Sequence, residues 1–322
     1  MTGAAQDTEH TTGKIAFIGL GNMGGPMAAN LVAAGYDVTG FDLVPELLAG
    51  AEEKGVRPAA GAAEAVAGAD TVITMLPGGR HVLECYRGEG GVLAAARPGT
   101  LFIDCSTIDV ADARAAAEAA VAAGHRAADA PVSGGVVGAT AAKLTFMVGA
   151  DEALLPEVER VLAPMGARVV HCGASGAGQA AKVCNNMILG VSMIAVSEAF
   201  VLGERLGLSH QALFDVASTA SGQCWALTTN CPVPGPVPAS PANRDYAAGF
   251  AAALMSKDLG LAVEALKATG TAAELGPHAA GLYAAFAEGE GGGRDFSAII
   301  NEIRERSEAG APAGPEPAPD GG

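Results

Sequence analysis

At 322 residues the chain is long enough for about two domains, and half of it is hydrophobic, so each can bury a core. Its 19 basic residues stand against 35 acidic ones, a net charge of −16 that denies nucleic acid the positive field it needs. The six cysteines (Cys85, Cys105, Cys172, Cys184, Cys224 and Cys231) form no CxxC pair and no zinc-ligand spacing, which implies free thiols in a reducing cytoplasm and no metal site.

Residues 1–13 are polar, without the apolar core of a secretory signal or the arginines of a transit peptide, and are expected to be flexible. Residues 14–18 read as a short buried strand. Met23, Met27 and Leu31 then recur at helical spacing until Gly35 closes the segment. Residues 37–41, 71–76 and 101–104 are further strand-like runs, with Ala-rich helical stretches such as 111–123 between them. Residues 144–148 and 168–171 read as late strands. This alternation predicts an α/β domain over 14–175, its parallel-rich sheet covered by helices on both faces.

The pattern changes after Gly178. One apolar helical run reaches Leu206, and Ser209 is placed to cap another helix. Five prolines between 231 and 241 predict an irregular loop. Helices are expected over 246–268, 271–288 and 296–307, giving an all-α domain over 176–309. No run reads as membrane-spanning, so no membrane is expected as a partner. The Ala/Pro/Gly/Glu-rich tail, 310–322, is expected to be disordered.

Chemistry concentrates at the strand ends. Gly19-Leu20-Gly21-Asn22-Met23-Gly24 follows a strand and opens a helix, and Asp42 ends the next strand. This is the dinucleotide fingerprint of a Rossmann domain: glycines admit the pyrophosphate, the helix N-terminus attracts it, and the acid takes the ribose hydroxyls. Asp42, with no arginine after it, favours NAD over NADP. Leu76-Pro77-Gly78 either faces the ligand crevice or simply turns. Ser106 and Thr107 either reach the nicotinamide ribose or cap the next helix. Ser133-Gly134-Gly135 is either an ordinary turn or a nest of N–H groups for a carboxylate. Lys182 and Asn186 share one helical face, four residues apart. Lys182 is either a structural lysine lying along apolar surface or a proton-transfer group. Lys257 with Asp258 reads as a charged pair on a helix.

Taken jointly, FIGLGNMGGPMAANL (17–31), ITMLP (73–77), IDCSTI (103–108), DAPVSGG (129–135), GQAAKVCNNM (178–187) and KDLGL (257–261) resemble the β-hydroxyacid dehydrogenase family over residues 14–306. The resemblance implies an NAD-dependent oxidoreductase acting on a small anionic hydroxy acid. The leading reaction is oxidation of 3-hydroxyisobutyrate, a step in valine breakdown, with reduction of tartronate semialdehyde or a related short semialdehyde as the alternative and a non-catalytic binding protein on the same fold as a remote one. It makes Lys182 the catalytic lysine and Asn186 its partner, and gives the substrate carboxylate to Ser133, Gly134 and Gly135. Leu76, Pro77, His81, Ser106 and Lys257 fall at cofactor positions, beside the glycine loop and Asp42. Trp225 and Phe250 fall where an apolar lining of the substrate is expected. A homodimer or homotetramer is implied, joined through the helical domain. Departures from the family pattern are Val137, Ala142-Lys143, Ala150 and Cys231.

Overall fold

Strand β1 (Lys14–Ile18) is buried on both faces: Ile15 and Phe17 enter one core, Ala16 and Ile18 another. Such a strand must lie inside a sheet with helices on either side. A computed structural model, which describes residues 13–88 and 90–309, shows that sheet. Nine strands are found among the described residues: β1, β2 (Asp37–Phe41), β3 (Arg57–Pro58), β4 (Thr71–Thr74), β5 (Leu101–Asp104), β6 (Arg126–Asp129), β7 (Val132–Ser133), β8 (Leu144–Gly149) and β9 (Gly166–Gly173). Their order is β3-β2-β1-β4-β5-β6-β8-β7, with β9 also paired to β8. The six strands from β3 to β6 run parallel; β8 is antiparallel to β6 and β7 but parallel to β9.

Met27 and Leu31 seat the Gly24–Ala33 helix on the Ile15 and Phe17 face. Gly35, at φ 92°, stops that helix, with its N–H on Val32 O and that of Tyr36 on Leu31 O. Val82, Tyr86, Ala113 and Ala116 cover the opposite face.

Two strand readings needed adjustment. The third expected strand stops at Thr74 rather than at residue 76, because the Leu76 N–H turns to the Ser106 hydroxyl. Strand β6, Arg-Ala-Ala-Asp, carries no local strand signal and exists through its pairing with β5.

The chain divides into two units, Met1–Asn185 with Glu264–Thr271, and Asn186–Val263 with Ala272–Gly322. The second is helical, with cores around Met193, Met255, Leu259 and Tyr283, and around Phe200, Leu227, Val233 and Ile300. The helix expected from residue 246 begins at Ala252, because backbone amides just before it are bonded to Asp295. The helix expected from 271 begins at Leu275.

One expectation is corrected. The Ala177–Arg205 helix, 29 residues with a window of mean hydropathy 1.7, is long and apolar enough by composition to cross a membrane. Half of that window is buried within the protein. The flexible N-terminus and the tail expected from the sequence lie outside the described residues, Gly13 excepted.

Candidate functional site

Strand β1 sits between β2 and β4, where the strand order reverses, and the loop that follows it opens at this switch point. Gly19 holds φ 95°, and a Cβ there would lie 2.3 Å from Met75 O; one on Gly24 would lie 1.9 Å from Gly19 O. Only glycine permits this packing. At Gly21 a Cβ would meet nothing within 4 Å, so the loop is tight beneath and open above. The helix that follows has no side-chain cap, so its N-terminus favours an anion, although the Gly25 N–H is already on Gly21 O at 3.0 Å and Pro26 carries none. Asp42 closes the loop from the side, accepting from Leu20 N at 2.7 Å and Val44 N at 2.9 Å. A diphosphate bridging two nucleosides fits this set: an open glycine floor, an uncapped helix end and a carboxylate at the next strand end.

Beside the loop lie the ends of β4, β5 and β6. Asp104 and Asp129 are register partners on β5 and β6, and both are buried. Asp104 Oδ1 accepts from Thr74 Oγ1 at 2.7 Å and from Ser106 Oγ at 2.6 Å; its Oδ2 has no partner. Burial pushes the Asp104 carboxyl up to about 6, against hydrogen bonds from Ser106 and Thr74 and with help from the Asp129 charge. Burial also raises Asp129, while the N–H groups of Gly176 and Gln179 hold it down. Those amides lie 2.6 Å and 2.9 Å from its oxygens and begin the long Ala177–Arg205 helix.

The same helix is fastened a second way. Gln179 donates to Ser106 O at 2.7 Å and accepts from Ile108 N at 3.2 Å. One turn on, Lys182 is buried and its ammonium donates to Val132 O at 2.7 Å. Val132 immediately precedes Ser133-Gly134-Gly135. Gly134 and Gly135 hold φ 132° and 60° and lead into the short Gly135–Thr140 helix. The first unit thus brings together the glycine loop, Asp42, Leu76, Pro77, Ser106, the Ser133 loop and Lys182. His81 stands exposed in the first turn of the Gly79–Arg87 helix. Ser106 is fully buried, its hydroxyl taken up by Asp104 and by Leu76 N at 2.8 Å, so it lies beneath the loop rather than facing it.

Asn186, Trp225, Phe250 and Lys257 belong to the second unit. Asn186 is buried and donates to Asp258, the residue after the partly buried Lys257. Trp225 is 52% exposed at the start of a short helix, and Phe250 packs edge-on against Phe296. Asp295, 1% exposed, accepts from Asn230 Nδ2, Gly249 N and Phe250 N, and so ties the Trp225 turn to the Phe250 segment.

The sequence reading did not single out Gln179, Asp129 or Asp104 for a role, although all three stand inside quoted motifs. Asp295 was not singled out either: its local bonds to Ser297 are those of an ordinary helix cap, and the partners that make it a hub, Asn230, Gly249 and Phe250, are distant in the chain.

Comparison with known proteins bears on this arrangement. A family model described as the NAD binding domain of 6-phosphogluconate dehydrogenase matches residues 14–173. A second, described as NAD-binding of NADP-dependent 3-hydroxyisobutyrate dehydrogenase, matches residues 176–303. A probable 3-hydroxyisobutyrate dehydrogenase of Mycobacterium tuberculosis is 60% identical over 295 residues, spanning 92% of this chain and 99% of its own. The chain belongs to the 3-hydroxyisobutyrate dehydrogenase family. It is therefore an oxidoreductase with an NAD-binding Rossmann domain and a helical second domain. The solved structure of the M. tuberculosis 3-hydroxyisobutyrate dehydrogenase with L-serine superposes with a TM-score of 0.88 at 59% identity, covering 91% of this chain and 99% of that one. At lower similarity, an NAD-dependent L-serine dehydrogenase of Pseudomonas aeruginosa is 46% identical over 286 residues, 89% of this chain and 96% of its own.

Proposed function

We propose that this member of the family oxidises 3-hydroxyisobutyrate to methylmalonate semialdehyde with NAD, as in valine breakdown. The observation that carries the reading is the buried Lys182 ammonium, 2.7 Å from Val132 O and so beside the Ser133-Gly134-Gly135 turn. A β-hydroxy acid presents a carboxylate and a hydroxyl two carbons apart, and this pairing of a turn with a cation offers one recognition group for each. Backbone N–H groups of the turn and the Ser133 hydroxyl hold the carboxylate. Lys182, in its neutral form, takes the hydroxyl proton during oxidation and returns it in the reverse direction. NAD, when bound, accepts the hydride from the carbon that bears the hydroxyl. Asn186, one turn along the helix, orients the same hydroxyl. Trp225 and Phe250 supply apolar surface suited to the substrate's methyl group.

Gly19, Leu20, Gly21, Asn22, Met23 and Gly24 hold the pyrophosphate, and Leu76, Pro77, His81 and Lys257 flank the rest of the cofactor. Asp42 binds the ribose hydroxyls and repels a 2′-phosphate; Leu43, which follows it, is exposed and uncharged. The helical unit leaves Ile188 and Leu202 exposed at 64% and 59% on the long helix, which supports assembly as a homodimer or homotetramer. Six free thiols suit the cytoplasm.

A second reading, L-serine as substrate, is favoured by the L-serine in the M. tuberculosis structure and by the serine dehydrogenase relative. The absorbance of reduced nicotinamide, followed with NAD or NADP and with 3-hydroxyisobutyrate, L-serine or D-glycerate, separates these readings. The highest kcat/KM is expected for 3-hydroxyisobutyrate with NAD. A higher value for L-serine supports the second reading, one for D-glycerate supports a tartronate semialdehyde reductase, and a preference for NADP overturns the role of Asp42.

A further inference from the structure

Asp104 lies under the cofactor-side loop without facing it. Its Oδ1 gathers the Thr74 hydroxyl, the Ser106 hydroxyl and the Ser106 N–H, the last at 3.2 Å. Ser106 then reaches in two directions. Its hydroxyl, with the proton committed to Asp104, accepts from Leu76 N at 2.8 Å. Its carbonyl accepts from Gln179, which lies one turn before Lys182 on the same helix. A hydroxyl can donate only one proton, so the acceptor at Asp104 dictates which lone pairs Ser106 turns toward Leu76. The loop after β4 and the helix carrying Lys182 thereby share a single anchor. Around Asp104 stand Asp129 on β6, Tyr86 and Cys85 on the Gly79–Arg87 helix, and Cys105 next in sequence, with burial raising all five groups. No cation appears among these groups, so what Asp104 does here is accept hydrogen bonds.

We infer that Asp104 is a positioning residue that, through Ser106, fixes the Leu76 loop against the cofactor and registers it with the helix of Lys182. This rests on the reading of the strand ends as a nicotinamide-dinucleotide site. Its consequence is that an acceptor, rather than a charge, is needed at residue 104.

The test compares three variants of the full chain. Asp104→Val removes the acceptor with a side chain of similar size. Asp104→Asn keeps an acceptor at Oδ1. Thr74→Val removes a bond to the same oxygen but touches neither Leu76 nor Gln179. Amide hydrogen exchange at Leu76 is read without cofactor, and NAD affinity is read by calorimetry. Asp104→Val is expected to deprotect Leu76 and weaken NAD about tenfold, the equivalent of one hydrogen bond. Asp104→Asn should stay within about twofold of wild type on that scale, and Thr74→Val should leave both readings unchanged while lowering Tm. Wild-type exchange and affinity in Asp104→Val overturn the inference. So does Asp104→Asn matching Asp104→Val, or Thr74→Val weakening NAD as much as Asp104→Val. If Asp104→Val does not fold, Ser106→Ala removes the last link instead and must deprotect Leu76; protection retained there overturns the inference equally. A wild type that binds neither NAD nor NADP overturns the cofactor reading, and with it the consequence for binding, whereas the Leu76 exchange result judges the anchor itself.

Discussion

Each unit is organised around a buried aspartate, and the two are satisfied differently. Asp295 in the helical unit uses both oxygens: Oδ1 for Asn230 and Ser297, Oδ2 for the N–H groups of Gly249 and Phe250. Asp104 in the sheet unit uses one oxygen and leaves the other buried with no partner. A carboxylate with a full set of donors is a fastener. A half-satisfied one, whose pKa burial pushes up to about 6, is a fastener whose charge is costly. The helical unit thus holds its loops by complete hydrogen bonding. The sheet unit carries a strained electrostatic element directly under the strand ends where cofactor chemistry is proposed, an association expected of functional sites.

The sharpest separation of chemistry from scaffolding comes from Lys182→Ala. Removing the ammonium deletes the proton-transfer group but neither hub. Turnover should fall by about 10²–10⁴-fold, while calorimetric NAD affinity and Tm change little, because the glycine loop and Asp104 are untouched. Near-normal turnover would leave Lys182 a structural lysine and return the question of mechanism to the start.

Asp295→Ala probes the other side. It leaves five donors without their acceptor: Asn230 Nδ2, the N–H groups of Gly249, Phe250 and Ser297, and the Ser297 hydroxyl. A loss of about 3–5 kcal/mol is expected, the upper end for breaking a buried polar network, with NAD affinity measured in the folded fraction unchanged. Denaturant midpoints read the first quantity. A loss under about 1 kcal/mol would show that water replaces the carboxylate and that the hub is not a fastener.

The contrast between the hubs also has a pH signature. Asp104 moves from 3.8 to about 6 on folding, so its ionisation opposes folding. Its contribution is fully present below about pH 4 and is lost as the pH rises to about 6, a swing of about 3 kcal/mol. Asp104→Asn cannot ionise. Relative to wild type, the Asn variant should therefore gain stability as the pH is raised from about 4.5 to 7, whichever of the two is more stable at the start. Unfolding curves at both ends of that range read the difference. A constant difference would mean that Asp104 titrates near its ordinary value and that its second oxygen is solvated.

What could be read in the sequence divides along the same line. The sheet unit is built from local signals: an apolar strand, a glycine loop at the strand end, a helix stopped by Gly35. Its α/β alternation and its glycine loop follow from pattern; Lys182 stands out for its apolar flanks at helical spacing, but those flanks suit a structural lysine equally, and only the family resemblance makes it catalytic. The alanine-rich β6 was not legible, since only its neighbour makes it a strand. The helical unit announces its helices but not their starts. Tyr246 to Ala251 looked helical, and the amides of Gly249 and Phe250 were taken by Asp295, more than 40 residues away in sequence. Such ties leave no periodic trace.

The smallest effect expected concerns Ala142, a non-glycine residue in a left-handed conformation. The Gly135–Thr140 helix ends in two backward hydrogen bonds, Lys143 N to Gly138 O at 2.8 Å and Ala142 N to Ala139 O at 3.4 Å. This pair defines a helix stop whose turning residue is left-handed, and Ala142 holds φ 55° there. Alanine pays about 1–2 kcal/mol for that conformation, which glycine avoids. Glycine gives back about 0.5–1 kcal/mol of that through its more flexible unfolded chain. Ala142→Gly should therefore stabilise the protein by about 0.5–1 kcal/mol, a rise in Tm of a few degrees at most, with kcat/KM unchanged because no group of the Ser133 turn or Lys182 is altered. Because Ala142 lies in the sheet unit, the gain should appear equally in Asp295→Ala, adding to that loss without coupling to it. A gain that disappears in the Asp295 variant would show that the two changes are energetically coupled. A loss of stability would show that the Ala142 methyl packs well enough to outweigh its backbone strain.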